Sequence, residues 1–258
     1  MRPIVIKLGG SALTDKEVGK RLGQEIIALR GMGIPLVIVH GGGPAINQEL
    51  QLKNISWEFY QGQRITTPEM MEVIEMVLTG KVNRQLVRTL NQLGNPSGLS
   101  AQGLAGTDNR LLLCSLAAPI LQRVGMVEKV NTLPLELILE HSPFTIPVLA
   151  PIGVDVEGGP LNVNADWAAS KVAQALQVSE LMYVTDQEGV LDSSGQCLPH
   201  LTLEELHTLC ATQTVKGGML VKAQSIASAL DTIPKVSIVN GKKPGCLLQP
   251  QGTLITKK

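Results

Sequence analysis

An apolar segment that ends in two glycines opens the chain and constrains its fold most. Residues 3–8 have the composition of a buried strand, yet they include Lys7, and Gly9 and Gly10 follow directly. A cation in a buried strand is costly unless another group compensates its charge. Glycine lets an anionic group approach the backbone closely. The segment therefore predicts a strand whose carboxyl end, with Lys7, Gly9 and Gly10, faces a phosphate group.

A second segment repeats this arrangement. Residues 35–40 are again typical of a buried strand, and they run into Gly41, Gly42 and Gly43. Pro44 is well placed as the first residue of a helix. Strand–helix–strand units of this kind build parallel sheets, and ligands bind at the carboxyl ends of the strands. Backbone N–H groups at helix starts favour anions. Three glycines exceed what a tight turn needs, so the pattern indicates binding.

Composition argues against several classes of protein. With 22 basic and 22 acidic residues, the chain lacks the basic excess expected of a partner for nucleic acid or an anionic membrane. Its apolar runs are shorter than the roughly 18 residues of a membrane span, and Lys7 interrupts the first, which argues against a signal peptide. The four cysteines form no C-x-x-C pair, so zinc and a disulfide framework are not expected. Reduced thiols in a cytoplasmic protein are the expected state.

The remaining pattern alternates helices and strands. Thr14 with Glu17, and Thr202 with Glu205, fit capping boxes, and Gly80 is expected to weaken a long helix. The predicted helices cover residues 14–30, 66–93, 133–140 and 166–176, and two more start near 202 and 218. The predicted strands cover residues 111–116, 121–127, 145–150, 181–185, 236–239 and 253–256, with hairpins in 55–65 and 151–164. The alternation predicts one α/β domain, residues 1–258, built as a three-layer αβα sandwich.

Two asparagines and an aspartate form a further candidate site. Asn162 and Asn164 alternate along the chain, so on an extended segment they point to the same side. Asp166 then opens a helix. An asparagine side chain both donates and accepts hydrogen bonds, which suits a carboxylate or a backbone segment. A helix cap is an equally good interpretation of Asn164.

Two other segments carry weaker signals. Gly217 and Gly218 open a helix, and Lys222 lies one turn further in. Taken alone, Lys222 is more typical of a solvated surface charge. Asp186 and Gly189 follow a strand and suit a ribose or a nucleotide loop, or an ordinary turn. The chain contains no P-loop, no G-x-G-x-x-G after a strand and no G-x-S-x-G.

Taken together and in this order, these segments resemble the amino acid kinases, and among them the kinases of N-acetylglutamate. The resemblance extends from residue 4 to residue 253. The matching residues are 7–10, 40–44, 64–66, 162–166, 185–186, 189–192, 217–219 and Lys222.

The resemblance implies a fold and a reaction. The fold is an open, mainly parallel sheet between helical layers. An N-terminal lobe, about residues 1–155, binds the acyl amino acid and forms a dimer interface, and a C-terminal lobe, about residues 156–258, binds ATP. The reaction transfers the ATP γ-phosphoryl group to the side-chain carboxylate of N-acetyl-L-glutamate, in arginine synthesis. Magnesium is carried on the ATP phosphates, with few direct protein ligands.

The resemblance also implies roles for the candidate residues. Lys7 and Lys222 flank the transferring phosphoryl group, and Asp166 holds both lysines rather than taking a proton. Arg64 binds a substrate carboxylate. The other substrate-binding residues that it implies are Gly42, Gly43, Asn162 and Asn164. The ATP-binding residues that it implies are Lys7, Gly9, Gly10, Asp186, Gly189, Gly217, Gly218, Met219 and Lys222, with N–H donors expected from Gly9, Gly10, Gly42 and Gly43.

The last expectations concern the oligomeric state of the protein and two alternative functions. Arginine-inhibited members of the family carry a helix before the first strand, which here begins at about residue 3, so a homodimer with little arginine feedback is expected. A kinase of the same fold for another acid, such as carrier-linked aminoadipate, is one alternative. A non-catalytic sensor of an amino acid or a nucleotide is another, but it would not need Lys7, Asp166 and Lys222 together.

Overall fold

The computed structural model, which describes residues 2–258 and for residues 11 and 12 the backbone alone, confirms the predicted α/β class. In chain order, the strands β1 to β14 are Ile4–Leu8, Leu36–His40, Phe59–Tyr60, Gln63–Arg64, Ser100–Ala105, Leu112–Leu116, Val124–Val130, Thr145–Ala150, Ile152–Val154, Pro160–Val163, Glu180–Thr185, His200–Thr202, Lys235–Asn240 and Gly252–Thr256. The helices α1 to α9 are Gly10–Thr14, Lys16–Gly31, Gly43–Leu52, Pro68–Glu75, Asn83–Gly94, Leu133–His141, Ala165–Ala175, Leu203–Ala211 and Gly218–Leu230.

The central sheet is open and mainly parallel. Its eight strands follow the order β12-β14-β13-β11-β1-β2-β8-β5, and all neighbours are parallel except β13 and β14. β1 lies in the interior of the sheet, where Lys7 is in register with Val39 of β2 and Tyr183 of β11. The carboxyl ends of these three strands therefore meet at one edge of the sheet.

Helices cover both faces of this sheet, which gives the predicted three layers. Successive residues of a strand point to opposite faces. Val5 accordingly belongs to the apolar core shared with α7 and α9, whereas Ile6 and Leu8 belong to the core shared with α2 and α5. A third, smaller core joins α3 and α4 to the region around Ile152.

A second sheet of four strands was not predicted. β10, β7, β6 and β9 pair in a closed ring, which packs against α7 through residues such as Leu161 and Val163. The strand predicted over 121–127 begins only at Val124, because a short 3₁₀ turn, Pro119–Leu121, precedes it. The ring depends on pairing between distant segments, which local hydrophobic patterns do not encode.

The long helix predicted over residues 66–93 is interrupted. α4 and α5 are joined by a π-helical segment, Met76–Val82, that contains the predicted weak point Gly80. π-helical turns inside α-helices are uncommon and occur often at functional sites. This segment faces the glycine turn that follows β2, as described below.

The helix caps agree with the sequence in one case and differ in another. At α8 the Thr202 and Glu205 side chains form the predicted capping box. At α2 the predicted cap is wrong by one residue. The N-cap is Asp15, whose carboxylate accepts hydrogen bonds from the backbone N–H groups of Glu17 and Val18 at 2.9 and 3.1 Å. The shift arises because the short helix α1 occupies the chain up to residue 14.

Within residues 2–258, no helix has the length and apolar character needed to cross a membrane.

Candidate active site

A cleft of about 390 Å³ opens at the edge where β1 and β2 end. The start of α7, the β3–β4 hairpin, the start of α3 and the π-helical segment contribute to its wall. Most of the residues predicted for the substrate and phosphate site line this cleft, although they come from four separate parts of the sequence. These are Lys7, Gly10, Gly42, Gly43, Arg64, Asn162, Asn164 and Asp166.

Two lysines share one aspartate at the inner end of the cleft. Lys7 Nζ lies 2.8 Å from Asp166 Oδ1, and Lys222 Nζ lies 2.9 Å from Asp166 Oδ2. Lys7 comes from β1, Asp166 from the first turn of α7 and Lys222 from the second turn of α9. All three residues are buried. We call this group the lysine–aspartate clamp. It carries one positive charge in excess and therefore suits an incoming anion.

The electrostatics of the clamp follow from burial and proximity. Burial alone would raise the pKa of the Asp166 carboxyl, but the charges of Lys7 and Lys222, and their hydrogen bonds, hold this pKa well below its usual range. Burial lowers the pKa of Lys222 to about 8, although the Asp166 carboxylate opposes that shift. Asp166 is therefore ionised at neutral pH and unsuited to act as a base, and Lys222 is still mostly protonated at pH 7.

The two glycine turns lie against each other at the cleft. A Cβ on Gly10 would lie 3.0 Å from the backbone nitrogen of Gly43 and 3.1 Å from that of Gly42, so a side chain there would cover both N–H groups. A Cβ on Gly42 would lie 2.4 Å from Leu78 Cδ2, because the π-helical segment packs directly on this turn. Gly9 differs from expectation. Its N–H continues the pairing of β1 with β11 by donating to the Val184 carbonyl at 2.9 Å, so it is committed to the sheet.

A buried histidine joins the second glycine turn to α5. His40 ends β2, and its Nδ1 lies 2.9 Å from the Gly41 carbonyl oxygen, which makes Nδ1 the protonated nitrogen. Its Nε2 accepts a hydrogen bond from Asn83 Nδ2 at 3.1 Å, and the same amide group donates to the Val148 carbonyl at 2.9 Å. Burial lowers the pKa of His40 to about 4, despite the backbone hydrogen bond. The imidazole is therefore neutral in the folded protein.

His40 should make stability depend on pH. Its pKa is about 4 when folded and about 6.5 when unfolded, so the unfolded chain binds the extra proton between these values, and stability falls as pH falls through this window. Between pH 7.5 and 5 the loss from His40 should be about 2 kcal/mol. Urea unfolding measures the free energy of unfolding at both pH values. Between pH 7.5 and 5, His40→Asn should lose correspondingly less of it than the native chain. The exposed His207, changed to asparagine, is the control. Equal losses in the native chain and His40→Asn would contradict this prediction.

Arg64 ends the β3–β4 hairpin and lies between aromatic rings and a polar side chain. Its guanidinium carbon is 4.8 Å from the Phe59 ring centroid and 5.7 Å from that of Trp57. One terminal nitrogen, Nη2, donates to Asn47 Oδ1. The other, Nη1, is buried and has no hydrogen-bond partner among the described residues. A buried guanidinium nitrogen without a partner is costly, and an incoming carboxylate would satisfy it.

The two predicted asparagines have different surroundings. Asn162 Nδ2 donates to the Thr66 hydroxyl at 3.0 Å, and that hydroxyl donates to the Arg64 carbonyl at 3.0 Å. Asn162 is thus held beside Arg64. Asn164 is the N-cap of α7, and its Oδ1 accepts from the backbone N–H of Asp166 at 2.8 Å. The structure therefore supports the cap interpretation of Asn164, whose side chain orients the start of the helix that carries Asp166.

The remaining residues that were predicted to bind the nucleotide lie outside the cleft, in α9 and after β11. Gly217, with a positive φ of 57°, and Gly218 form the exposed start of α9, where a side chain would meet open space. The charge of Asp186, which follows β11, raises the pKa of Lys222 and so acts on the clamp. Met219 is half-buried and packs against the core of α7 and α9. At position 189, packing explains why the residue is glycine: a Cβ there would lie 2.4 Å from Thr253 Oγ1.

Several residues around the site were not predicted. Asn47 and Thr66 hold Arg64 and Asn162, Asn83 holds His40, and Tyr183 lies beneath Lys222. Tyr183 is the only one with a local signal, because a tyrosine inside an otherwise apolar strand requires a partner for its hydroxyl. The others depend on contacts between segments far apart in sequence.

Comparison with known proteins agrees with this geometry. The sequence profile of the amino acid kinase family matches residues 2–240. The chain is 41% identical to the acetylglutamate kinase of Geobacter metallireducens over 253 residues, which cover 93% of this chain and 85% of that protein. It is 38% identical to the acetylglutamate kinase of Methylobacillus flagellatus over 276 aligned residues, which cover 100% of this chain and 91% of the relative.

Solved structures share the fold. A protein of Streptococcus mutans superposes with a TM-score of 0.85 at 30% identity, over 99% of this chain and 98% of that one. A carbamate kinase of Giardia superposes with a TM-score of 0.75 at 16% identity, over 100% of this chain and 99% of that one. The matched profile and the relatives together establish that the chain belongs to the amino acid kinase family.

Proposed function

We propose that this chain transfers the γ-phosphoryl group of ATP to the side-chain carboxylate of N-acetyl-L-glutamate, which gives N-acetylglutamyl 5-phosphate and ADP. The observation that carries the proposal is the lysine–aspartate clamp beside the two glycine turns. Relatives about 40% identical over most of the chain are named acetylglutamate kinases, and kinase activity follows from membership of the family.

The acceptor chemistry explains why the site contains lysines and no general base. A glutamate side chain has a pKa of about 4.3, so it is already ionised at neutral pH. One of its oxygens forms the new bond to the γ-phosphorus while the bond to the bridging oxygen of ADP breaks, and no proton has to be removed. The barrier is the approach of two anions. Positioning and charge stabilisation are therefore the tasks of the protein.

The clamp has the charge for these tasks. We propose that Lys7 and Lys222 lie on either side of the transferring phosphoryl group, with Lys222 also meeting the leaving phosphate. Asp166 holds both ammonium groups in place before the substrates arrive, so little reorganisation is needed during the reaction. The N–H groups of Gly10, Gly42 and Gly43 would add donors at the phosphoryl oxygens. Gly9 is left out because its N–H bonds within the sheet.

Arg64 would bind the α-carboxylate of the acid. Its Nη1 is the buried donor without a partner described above, and the Trp57 and Phe59 rings lie close to its guanidinium. Asn162, held by Thr66, lies where it would contact the acetylamino group or the α-carboxylate. Gln63 and Val124 also line this part of the cleft.

The cleft favours an acylated amino acid over a free one. Of the described residues that line it, Asp166 alone has a carboxylate, and both of its oxygens are ion-paired to the clamp lysines. The ammonium group of free glutamate would enter beside Arg64 and Asn162, with no carboxylate there to pair with it. A neutral amide nitrogen carries no such cost. This argument leaves carrier-linked aminoadipate as the second candidate, because its nitrogen is also acylated.

We propose that ATP binds from the side of α9. The exposed helix start at Gly217 and Gly218 suits phosphate groups, and Asp186 and Met219 lie in the segments next to it. Magnesium, bound to the ATP phosphates, would neutralise part of their charge. Mg²⁺ usually binds one or two carboxylates together with substrate phosphates, and Asp186 is the carboxylate whose charge reaches the clamp.

We also propose that the site is built from two lobes and that the chain forms a homodimer. Arg64, Gly42 and Gly43 belong to the lobe of about residues 1–155, and Lys222 and Gly217 belong to the lobe of about residues 156–258. A homodimer suits the surface, because three apolar side chains that lie close together in sequence are more than half exposed, and a second copy could cover them. These are Leu116, Ile120 and Met126.

A coupled assay of ADP release tests the proposal. We expect turnover with N-acetyl-L-glutamate and a kcat/KM at least about a hundredfold lower with free L-glutamate, because burying an unpaired ammonium group costs several kcal/mol. N-acetyl-L-aspartate and N-acetyl-L-aminoadipate test the length of the side chain. Equal turnover of glutamate and N-acetylglutamate would contradict the proposed specificity. No ADP release with any acid would favour a sensor.

A further inference from the structure

Tyr183 is an aromatic residue that contacts the lysine–aspartate clamp. It lies in β11, in register with Lys7 on the neighbouring strand β1, and its side chain is fully buried. The chain has only two tyrosines. A buried phenol hydroxyl requires hydrogen-bond partners, and without them an aliphatic residue would be less costly at this position.

The hydroxyl of Tyr183 connects the two helices that carry the clamp. Its oxygen lies 3.2 Å from the Asp166 carbonyl oxygen in α7 and 2.9 Å from Ser225 Oγ in α9. The Ser225 hydroxyl in turn lies 2.8 Å from the Lys222 carbonyl oxygen. The two hydroxyls carry two protons for these three contacts, so two of the three are hydrogen bonds at any one time. The hydroxyl pair lies between the backbone carbonyls of Asp166 and Lys222. Burial and the Asp166 charge raise the pKa of Tyr183 well above its usual value, so the phenol stays neutral.

The ring of Tyr183 faces the charged end of Lys222. Lys222 Nζ lies 4.7 Å from the ring centroid, a distance at which the negative face of the ring attracts a cation. Lys222 is almost fully buried, and its one ion-pair partner among the described side chains, Asp166, is shared with Lys7. Two ammonium groups therefore depend on one carboxylate, and the ring face is a further stabilising partner for Lys222. The more distant Asp186 is the other group that favours its charge.

We propose that Tyr183 is a positioning residue for phosphoryl transfer. Its ring keeps Lys222 charged, and its hydroxyl helps to fix the position of α9, which carries Lys222, relative to α7, which carries Asp166. The inference rests on the proposed function, because it assigns Tyr183 a part in the same site. The ring and the hydroxyl have separate effects. Tyr183→Leu removes both, whereas Tyr183→Phe removes only the hydroxyl.

The direct test measures the pKa of Lys222 by NMR titration of its side chain in the substrate-free protein, with the signal assigned through its loss in Lys222→Met. Burial lowers this pKa to about 8 in the native chain. In Tyr183→Leu it should fall by a further half to one unit, roughly what a desolvated cation–π contact provides. Tyr183→Phe should keep the native value to within about 0.3 units, because the ring remains. Leu181→Ala, a core change on the same strand, should also leave it unchanged.

Kinetics provide the second readout. Lys222 must be protonated to stabilise the phosphoryl group, so the alkaline limb of the kcat/KM profile, which reports the substrate-free enzyme, should move to lower pH in Tyr183→Leu by the same half to one unit. Identical Lys222 pKa values in the native chain and Tyr183→Leu would overturn the inference, as would an equal shift in Tyr183→Phe. A shifted pKa in a protein without kinase turnover would refute the proposed function and leave the contact between Tyr183 and Lys222 established.

A fluorinated series keeps the test decisive if Tyr183→Leu does not fold. Phenylalanine with zero to three ring fluorines at position 183 has nearly constant shape and a progressively weaker negative face. The pKa of Lys222 should fall stepwise with the number of fluorines. A value that stays constant across the folded series would overturn the inference.

Discussion

Replacing Lys222 by methionine should lower kcat at least about a hundredfold and leave the KM for N-acetylglutamate nearly unchanged. Removal of a single group that stabilises transition-state charge typically costs this much. Methionine keeps most of the apolar length of the side chain, so the loss reports the ammonium group. Lys7→Met should cause a loss of similar size. Steady-state kinetics with both substrates varied would measure the two effects.

The control for this prediction is Lys235→Met. Lys235 also pairs with a carboxylate, Glu180 at 2.8 Å, but it is about half exposed and lies at the start of β13, the opposite end of the strand from the cleft. Its replacement should leave kcat within about twofold, because it lies at the end of the sheet away from the cleft and does not reach the clamp. Equal kcat values in Lys222→Met and Lys235→Met would show that Lys222 has no part in the transfer.

Asp166→Asn should lower both activity and stability. The Asp166 carboxylate compensates the charges of both lysines in the native protein, and asparagine removes that compensation. Breaking a buried ion pair by removing one partner costs about 3–5 kcal/mol. Urea unfolding at pH 7 would measure the loss, and activity should fall at least as far as in Lys222→Met, because neither lysine is then held in place.

The pH dependence of the same variant identifies the cause. Without the carboxylate, the pKa of Lys222, which burial already lowers to about 8, should fall further, so the unfolded chain binds more protons than the folded one at alkaline pH. The stability of Asp166→Asn relative to the native chain should therefore increase as pH rises from 7 to 9.5. The double variant with Lys222→Met should be more stable than Asp166→Asn alone. If it is less stable, the lysines are not the source of the loss.

The sequence predicted the parts of the fold and site that local patterns encode. The strand at residues 3–8, the glycine turn at 41–43 and the helix opened by Asp166 all have distinctive residues at fixed spacing. The α/β class followed from their alternation. The interruption of the long helix was also anticipated near Gly80, although not its π-helical form, because apolar periodicity does not distinguish the two helix types over one turn.

The remainder depends on contacts between distant segments. Asn164 was equally compatible with substrate binding and with a cap until the position of the Asp166 N–H was known. The sequence predicts that the Gly9 N–H donates to a phosphate. In the structure this N–H donates to the Val184 carbonyl instead, because the pairing of β1 with β11 extends one residue past Leu8. The strand sequence indicates that the Tyr183 hydroxyl needs a partner, but the contact of its ring with Lys222 depends on the position of α9.

The measurement that tests the central claim most directly is the chemical identity of the product. With ATP, Mg²⁺, N-acetyl-L-glutamate and hydroxylamine, an acyl phosphate is trapped as a hydroxamate. The account predicts one hydroxamate for each ADP released by the native chain, with both lost together in Lys222→Met. Release of ADP without hydroxamate would mean that water and not the carboxylate accepts the phosphoryl group, and it would contradict the account.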